Sequence, residues 1–579
     1  MNPNNPSKED ANVKVSYEFA SNLEAGTVTE ESRFQRFKDS FKPADLSHVP
    51  NYENLTDLEK AAIATANSPL QRSLKGRHLQ MIAIGGSIGT GLFVGSGKAL
   101  HNGGPASLLI AFFLIGAMLY STVHALGELT VRFPVSGAFS TFCTRFIDPA
   151  WGFAIGWNYG IQWLIVFPLE LVAASMTIQY WNDEINPAAW VAIFWTTIMV
   201  INLFGVKGYG EAEFIFSLVK VVAVIGFIIL GIIINCGGAP QGGYIGGTYW
   251  HTPGAFNHGF KGLCSVFVTG AFSFTGTELV GLAAAETSNP RKTMPSAIKQ
   301  VFWRITLFYL VSLAIVGLIV PFDDPQLLGS SSVDIAASPF VIAINNAGIK
   351  VLPSIMNAVV LIAVLSVGNS AVYGCSRTIA ALSAQGHAPK FLSYIDRQGR
   401  PIFGIMLSGL VGLLCFVVAS DKESEVFAWL MALTGLSSIF TWGSICYCHI
   451  RFRAAMKVQG RSETELAFKS QPGLIGSYFG VIFNFLVLVA QFWTGLFPLG
   501  SSKADVTAFF QSYLAAPIVL VCFIFFKIWK KTKFVSLQDM DLDTGRREID
   551  TEALVAEIAE EKAYIQSKNF FYRTYRFWC

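Results

Sequence analysis

Residues 85–97 form the stretch Gly-Gly-Ser-Ile-Gly-Thr-Gly-Leu-Phe-Val-Gly-Ser-Gly, and residues 270–278 form Gly-Ala-Phe-Ser-Phe-Thr-Gly-Thr-Glu. Each lies inside an apolar run that is long enough to cross a bilayer as a helix. Six glycines in thirteen residues make 85–97 a poor helix interior, because each glycine costs about 1 kcal/mol relative to alanine. Close helix packing against small residues is the alternative explanation. The two stretches predict helices that are interrupted at membrane depth.

The composition indicates a membrane protein with polar ends. The 579 residues are 52% apolar and 14% charged, whereas soluble domains average about 25% charged residues. Residues 1–78 and 530–579 hold 39 of the 81 charged residues. We therefore predict two polar tails, 1–78 and 530–579, around a membrane core at 79–529. This distribution argues against a soluble enzyme, and neither tail resembles a basic nucleic-acid-binding arm.

Twelve apolar stretches have the length of a membrane-spanning helix. In order, and numbered here as spans one to twelve, they are 79–98, 106–126, 151–181, 188–206, 211–236, 261–285, 300–320, 350–376, 402–419, 426–449, 476–497 and 507–529. With the N-terminus in the cytosol, the cytosolic loops and the span ends beside them hold 16 Lys and Arg residues, Arg304 among them, and the outer loops and span ends hold 5. This asymmetry predicts that both termini are cytosolic. Residues 339–349 could form a separate short helix between spans seven and eight.

The interruptions lie in spans one and six, which are the first members of two successive groups of five. This spacing predicts a five-plus-five inverted repeat like that of LeuT, with a substrate site at the midplane. Free N–H groups of residues 90–92 would bind a carboxylate. Free carbonyls of Ala271, Phe272 and Thr275 would bind an ammonium group. An α-amino acid carries both groups, and the predicted substrate-binding residues are Ser87, Ile88, Gly89, Thr90, Gly91, Ala271, Phe272, Ser273 and Thr275.

Several motifs resemble one known family. They are GSIGTGLF at 86–93, FSFTGTEL at 272–279, AAETSNPR at 284–291, DLDTGRRE at 541–548 and the final FWC at 577–579. The chain is similar over residues 70–579 to fungal amino-acid permeases of the yeast amino-acid transporter branch of the amino acid–polyamine–organocation superfamily. It is most similar to general amino-acid permeases. The resemblance implies an all-α fold with twelve spans and proton-coupled amino-acid uptake across the plasma membrane.

Ionisable residues interrupt several apolar spans, where a charge costs about 2.5–3.5 kcal/mol on insertion scales. The resemblance implies that the Lys220 ammonium in span five replaces the sodium ion of sodium-driven relatives, the alternative being a lysine that snorkels inward. Glu278 could act in gating or proton transfer, or could only cap the second half of span six. Glu170 in span three could line a vestibule or pair with another span.

The predicted pocket has little fixed charge. We expect one acid, Glu278, and no arginine near the two interruptions, which favours many neutral substrates over one charged substrate. Phe272 would close over the bound substrate. Glu128 and His124, near the inner end of span two, are expected to be solvated at the membrane interface.

The leading hypothesis is therefore a symporter of amino acids and protons in the plasma membrane. A membrane sensor with the same pocket, a narrow-specificity permease, and a facilitator or antiporter without proton coupling remain as alternatives. No metal-ligand cluster, nucleophile motif or phosphate-binding loop is present, so we expect neither an enzyme nor a cofactor. The resemblance also implies ubiquitin ligase partners for the N-terminal tail, with Lys8 and Lys14 as acceptors.

Overall fold

The structure is a computed structural model of the chain. It describes residues 33–43, 81, 86, 88–135, 137–182, 184–283, 290–327, 338–419, 423–544, 560, 563–570 and 572–573. Every named element within these ranges is helical, and the only β contact among them is an isolated bridge between Pro43 and Asp396. The all-α class predicted from the sequence is therefore confirmed.

A helix lies within each of the twelve predicted spans. The principal helices are Gly91–Gly95, Ser96–Arg132, Pro149–Gln179, Pro187–Leu203, Gly205–Asn235, Gly259–Phe274, Leu279–Ala283, Pro290–Trp303, Arg304–Val311, Ser312–Ile319, Leu352–Ala384, Ile402–Gly412, Glu423–Val458, Gly473–Leu496, Val506–Tyr513 and Ala515–Lys530. The short helix expected between spans seven and eight is confirmed at Pro339–Asn346.

By length and apolarity alone, fewer than twelve of the described helices qualify as membrane-spanning. Eight described helices qualify, or nine if Val506–Tyr513 and Ala515–Lys530, which meet at 65°, form one span. The helices Pro187–Leu203 and Ile402–Val418 are apolar but shorter. One qualifying helix, Gly91–Arg132, contains the end of span one and all of span two. The number twelve thus stays a prediction.

Spans one and two are separated by a bend at Gly104. Its backbone lies at φ +79°, and a Cβ there would come within 2.8 Å of the Ala255 carbonyl oxygen. The next turn is fixed because the Ala106 N–H donates to that same carbonyl at 2.9 Å. Only glycine combines this left-handed conformation with such a close approach at low cost. The bend turns a 42-residue helical segment into two elements.

The helices form an inner bundle and an outer layer. In the most apolar 18-residue stretch of each helix, the buried share of residues is 83% for spans three and six, 33% for span five and 28% for span eleven. Span eight packs along span three, and span six packs along spans one and two. Spans five and eleven expose apolar side chains, which is the surface expected against lipid. The interrupted spans are therefore at the centre.

Near the predicted inner end of span two, the side chains that were expected to be solvated are buried. Glu128 and His124 are 1% and 0% exposed. Glu128 lies 3.0 Å from His449 Nε2 and 2.6 Å from Arg453 Nε, and the His124 ring stacks on Phe468. Burial is tolerated because the Glu128 carboxylate is paired with the Arg453 guanidinium and contacts the His449 ring, both on the helix that contains span ten. The predicted interfacial solvation of both residues is wrong.

A described stretch of each predicted tail is packed against the core. In the C-terminal tail, Met540 and Leu542 are 2% exposed. On the N-terminal side, the guanidinium of Arg400 donates to the Ser40 hydroxyl at 2.9 Å and lies 4.2 Å from the Phe41 ring centroid. These stretches are thus part of the folded structure.

Candidate functional site

The helical turn of span one and the end of the first half of span six touch at the centre of the bundle. A Cβ on Gly91 would lie 2.3 Å from Ser273 Cα and 2.8 Å from the Ser273 backbone nitrogen. Real Cβ atoms do not approach backbone this closely, so a side chain at position 91 would separate the two spans. The contact joins positions 91 and 273, which are 182 residues apart in sequence.

On the side of span one, the first helical turn begins at Gly91, and Thr90 is its N-cap residue. The Gly89 carbonyl accepts hydrogen bonds from the N–H groups of Leu92 and Phe93, both at 3.1 Å, and Gly91–Gly95 forms a π-helical turn. The prediction of a free N–H group at Leu92 is therefore wrong, because helix formation satisfies it. Ile88 is fully buried, and Ser87 lies outside the described residues.

Span six is interrupted as the sequence predicts. The first helix ends at Phe274, Thr275 leaves the helical conformation with ψ 139°, Gly276 has φ +97°, and the second helix begins at Leu279. Interruptions of this kind at membrane depth are found where backbone lines a cavity or is buried in protein.

The carbonyls at this interruption are not free. The Phe272 carbonyl accepts from the Thr275 N–H at 3.1 Å, and the Ala271 carbonyl accepts from the Thr275 hydroxyl at 3.2 Å. The Ser273 carbonyl accepts from the Tyr309 hydroxyl at 2.8 Å. The expectation of free carbonyls at Ala271 and Phe272 is thus wrong for this conformation, although each carbonyl oxygen has a second lone pair.

A small cavity lies at the contact between the two spans. Its volume is about 10 Å³, which is room for about one water molecule. It is lined by Gly89, Thr90, Gly91, Val166, Glu170, Phe272, Thr275 and Val367. Five of the predicted binding residues therefore meet here, whereas Ile88, Ala271 and Ser273 are not among its lining residues. An amino acid would fit only after the surrounding side chains move.

Phe272 separates this central cavity from a larger one. The second cavity has a volume of about 300 Å³ and lies between the ends of spans one, six, ten, eleven and twelve, at the end of the bundle that the charge asymmetry predicts to be the outer one. Phe272 lines both cavities and is 6% exposed. The predicted closing of Phe272 over a bound substrate stays a prediction.

Glu170 is a cavity residue that the sequence left without a role. It is 1% exposed, and its carboxylate accepts a hydrogen bond from the Thr90 hydroxyl. Thr90 and Glu170 thus join span three to the turn of span one. The acid in an apolar span was visible in the sequence, but its partner 80 residues away was not.

Lys220 is enclosed in protein. Its ammonium lies 3.5 Å from Glu213 Oε1 and donates to the Ser366 hydroxyl at 2.8 Å, and the Ser366 hydroxyl lies 2.8 Å from the Glu213 carboxylate. The side chains of Lys220 and Glu213 are 0% exposed, so Lys220 does not snorkel to the interface. Lys220 also interacts electrostatically with Glu170. Sequence reasoning missed Glu213, although a spacing of seven residues places it on the same helical face.

Glu278 joins three spans on the far side of the interruption from Phe272. Its carboxylate accepts hydrogen bonds from Trp442 Nε1 at 3.2 Å, from the Tyr159 hydroxyl at 3.4 Å and from the Gly276 N–H at 3.3 Å. The position combines a cap on the second half of span six with a tie between spans three and ten.

The expectation of no arginine near the interruptions is wrong. Arg304 of span seven is fully buried, donates a hydrogen bond to the Thr277 hydroxyl and interacts electrostatically with Glu278. Sequence reasoning placed Arg304 in a cytosolic loop because it stands at the predicted start of an apolar span. Span seven instead begins at Pro290, which carries Arg304 into the protein.

Among the described residues, no group of three or more His, Cys, Asp or Glu side chains is arranged to hold a metal ion. The buried charged groups described around this centre are the carboxylates of Glu170, Glu213 and Glu278, the Lys220 ammonium group and the Arg304 guanidinium.

Comparisons with known proteins agree with the sequence motifs. The model of the family described as amino acid permease matches residues 78–538. "General amino-acid permease GAP2" of Candida albicans is 62% identical, covering 94% of this chain and 93% of the relative. "General amino-acid permease GAP1" of Saccharomyces cerevisiae is 58% identical, with 95% and 92% covered. The "Histidine permease" of the same yeast is 52% identical, with 92% and 90% covered.

Proposed function

Because the chain belongs to the amino acid permease family, we propose that it is a proton-coupled symporter that imports a broad range of L-amino acids across the plasma membrane. The observation that carries the proposal is the contact of Gly91 with Ser273, beside a cavity that Glu170 and Thr90 line. Two of the relatives are themselves named general amino-acid permeases, which supports broad specificity.

Substrate binding would use the ends of the two interrupted spans. The α-carboxylate would bind the N–H groups of Thr90 and Gly91, at the positive end of the span-one helix. The α-ammonium would bind the second lone pairs of the Ala271 and Phe272 carbonyls, together with the Glu170 carboxylate. Because the closed cavity admits about one water molecule, binding requires Phe272 and Thr275 to move outward.

Proton coupling would use the buried pair of Lys220 and Glu213. A proton that neutralises the Glu213 carboxylate leaves the Lys220 ammonium without a counter-ion, which is costly in a buried site. The substrate carboxylate can then supply the missing negative charge. Proton binding and substrate binding would thereby favour each other, as a symporter requires. Glu278, which ties spans three and ten together, would hold the inner side closed until both are bound.

A competition assay tests substrate breadth. In cells that lack their own amino-acid permeases, we expect most neutral L-amino acids to inhibit uptake of labelled alanine, because the groups bound at the span ends are common to all of them. Amino-acid methyl esters should not compete, since they lack the carboxylate that the Thr90 and Gly91 N–H groups bind. A protonophore should abolish accumulation.

Each alternative gives a different result in this assay. Inhibition by a single amino acid would indicate a narrow-specificity permease, such as the histidine permease among the relatives. Accumulation that survives the protonophore would contradict proton coupling. A chain that reaches the surface but moves no amino acid would support a sensor.

Regulation through the N-terminal tail is a separate proposal. Lys8 and Lys14 lie outside the described residues. Replacement of both by arginine keeps the charge but removes the amine to which ubiquitin is attached. We expect the double variant to remain at the cell surface when amino acids are added, as followed by surface labelling. Removal at the wild-type rate would show that other residues are the acceptors.

A further inference from the structure

The ionisable lining of the outer cavity is positively charged. Lys98 is the only ionisable side chain among the described residues that line its 300 Å³. The other polar lining groups are neutral amides and hydroxyls, such as those of Asn102, Thr269, Gln491 and Gln511. A partly enclosed cleft lined by a single sign of charge concentrates the electric field and changes the local concentration of charged solutes.

Lys98 carries no compensating partner within the part of the chain that the structure describes. Its side chain is partly buried, and it takes part in no ion pair or hydrogen bond there. The ammonium group of a second lysine, Lys261, is nearby and donates to the carbonyls of Pro498 and Ser501 at 2.9 and 3.0 Å. Pro498 lines the cavity, so this second cation adds to the positive charge at its rim.

Among the residues whose side chains the structure describes, one carboxylate lies close in sequence to the lining residues. Asp505 accepts a hydrogen bond from the Ala508 N–H at 3.0 Å and is exposed, so water and salt screen it. It caps the helix Val506–Tyr513 and is not one of the lining residues of the cavity. The described side chains that line the cavity therefore carry a net positive charge.

A substrate coming from the outer end passes Lys98 before it reaches Phe272. Phe272 forms part of the wall of both cavities, and Lys98 lies two helical turns beyond Gly91 on the same span. The outer cavity is thus a vestibule that leads to the proposed binding site.

We propose that Lys98 is a charge filter at the entrance of the transport path, which slows the entry of cationic amino acids and favours acidic ones. The inference rests on the proposed function. Lysine and arginine carry a net positive charge and meet an uncompensated ammonium group. Glutamate and aspartate are attracted by it, and neutral zwitterions such as alanine experience no net force. Lys98 acts before binding, so it belongs to selection among substrates and not to the central site.

The test compares initial uptake rates of lysine, glutamate and alanine at low substrate concentration, with each rate divided by that of alanine. In Lys98→Gln, we expect the lysine-to-alanine ratio to rise by about 10-fold and the glutamate-to-alanine ratio to fall. Lys98→Met should behave in the same way, because it is also neutral and of similar length. Lys98→Arg should keep the wild-type ratios. Lys503→Gln, which removes an exposed cation from the same outer face, should also keep them.

Ratios to alanine cancel differences in the amount of protein at the surface. Unchanged ratios in both Lys98→Gln and Lys98→Met, with alanine uptake intact, would overturn the charge filter and leave the proposed function standing. A change of equal size in Lys503→Gln would also overturn it, since a general surface charge would then be sufficient. Absence of alanine uptake by the wild-type chain would instead overturn the proposed function, and the charge filter with it.

Discussion

Replacement of Gly91 by valine is expected to abolish uptake of every amino acid, with a loss of about 100-fold or more. The first added atom, Cβ, would lie 2.3 Å from the Cα atom of Ser273. Backbone cannot swing away as a side chain can, so spans one and six must move apart. This displacement enlarges the gap between the carboxylate-binding and ammonium-binding ends, and a misplacement of about 1 Å is sufficient for such a loss.

A nearby glycine on the same turn provides the matched control. A Cβ at Gly95 would lie 3.3 Å from the end of the Thr269 side chain, which a small shift accommodates. Gly95→Ala should therefore retain most of the uptake, and surface labelling would verify that both variants reach the membrane. Normal uptake by Gly91→Val at a normal surface level would contradict both the close contact and its role in transport.

The sequence predicted those features of the fold that depend on local composition. The interruption of span six at residues 275–278 follows from glycine and hydroxyl residues within one short stretch, which are poor helix formers wherever they stand. The helix Pro339–Asn346 begins at a proline, as helices commonly do. Such signals act over a few residues, so no knowledge of distant neighbours is needed.

Contacts between distant segments were beyond the sequence. The partners of Thr90 and Lys220 are Glu170, 80 residues away, and Ser366, 146 residues away. Arg304 was assigned to a loop because the start of an apolar run does not show where its helix begins. In each case the polar group is visible, but its partner is selected by packing between spans.

The errors at the carbonyls of span six have a different cause. A predicted helix end leaves its last carbonyls unsatisfied, but protein interiors rarely leave such groups without partners. Here the Thr275 N–H and hydroxyl occupy the carbonyls of Phe272 and Ala271. In the proposed site, the substrate ammonium group would bind the second lone pairs of the same two carbonyls.

The second large effect is expected at Lys220. In Lys220→Ala, the Glu213 carboxylate stays buried without its cation, 3.5 Å from where the ammonium group stood. Breaking a buried ion pair in this way costs about 3–5 kcal/mol, or the carboxylate takes up a proton permanently. A site that is always protonated cannot respond to the proton gradient. We therefore expect concentrative uptake to be lost, as measured by accumulation of labelled alanine across a series of external pH values.

A double variant separates coupling from stability at this pair. Lys220→Met combined with Glu213→Gln removes both charges, so the cost of an unpaired buried charge disappears and surface levels should recover. If the pair carries the coupling, accumulation stays absent while exchange of labelled alanine across the membrane persists, because the ends of spans one and six still bind the substrate. If the pair only stabilises the contact between spans five and eight, accumulation returns together with the surface level. Wild-type uptake that depends on sodium would contradict the coupling role independently. The Lys220 ammonium group would then not take the place of a sodium ion.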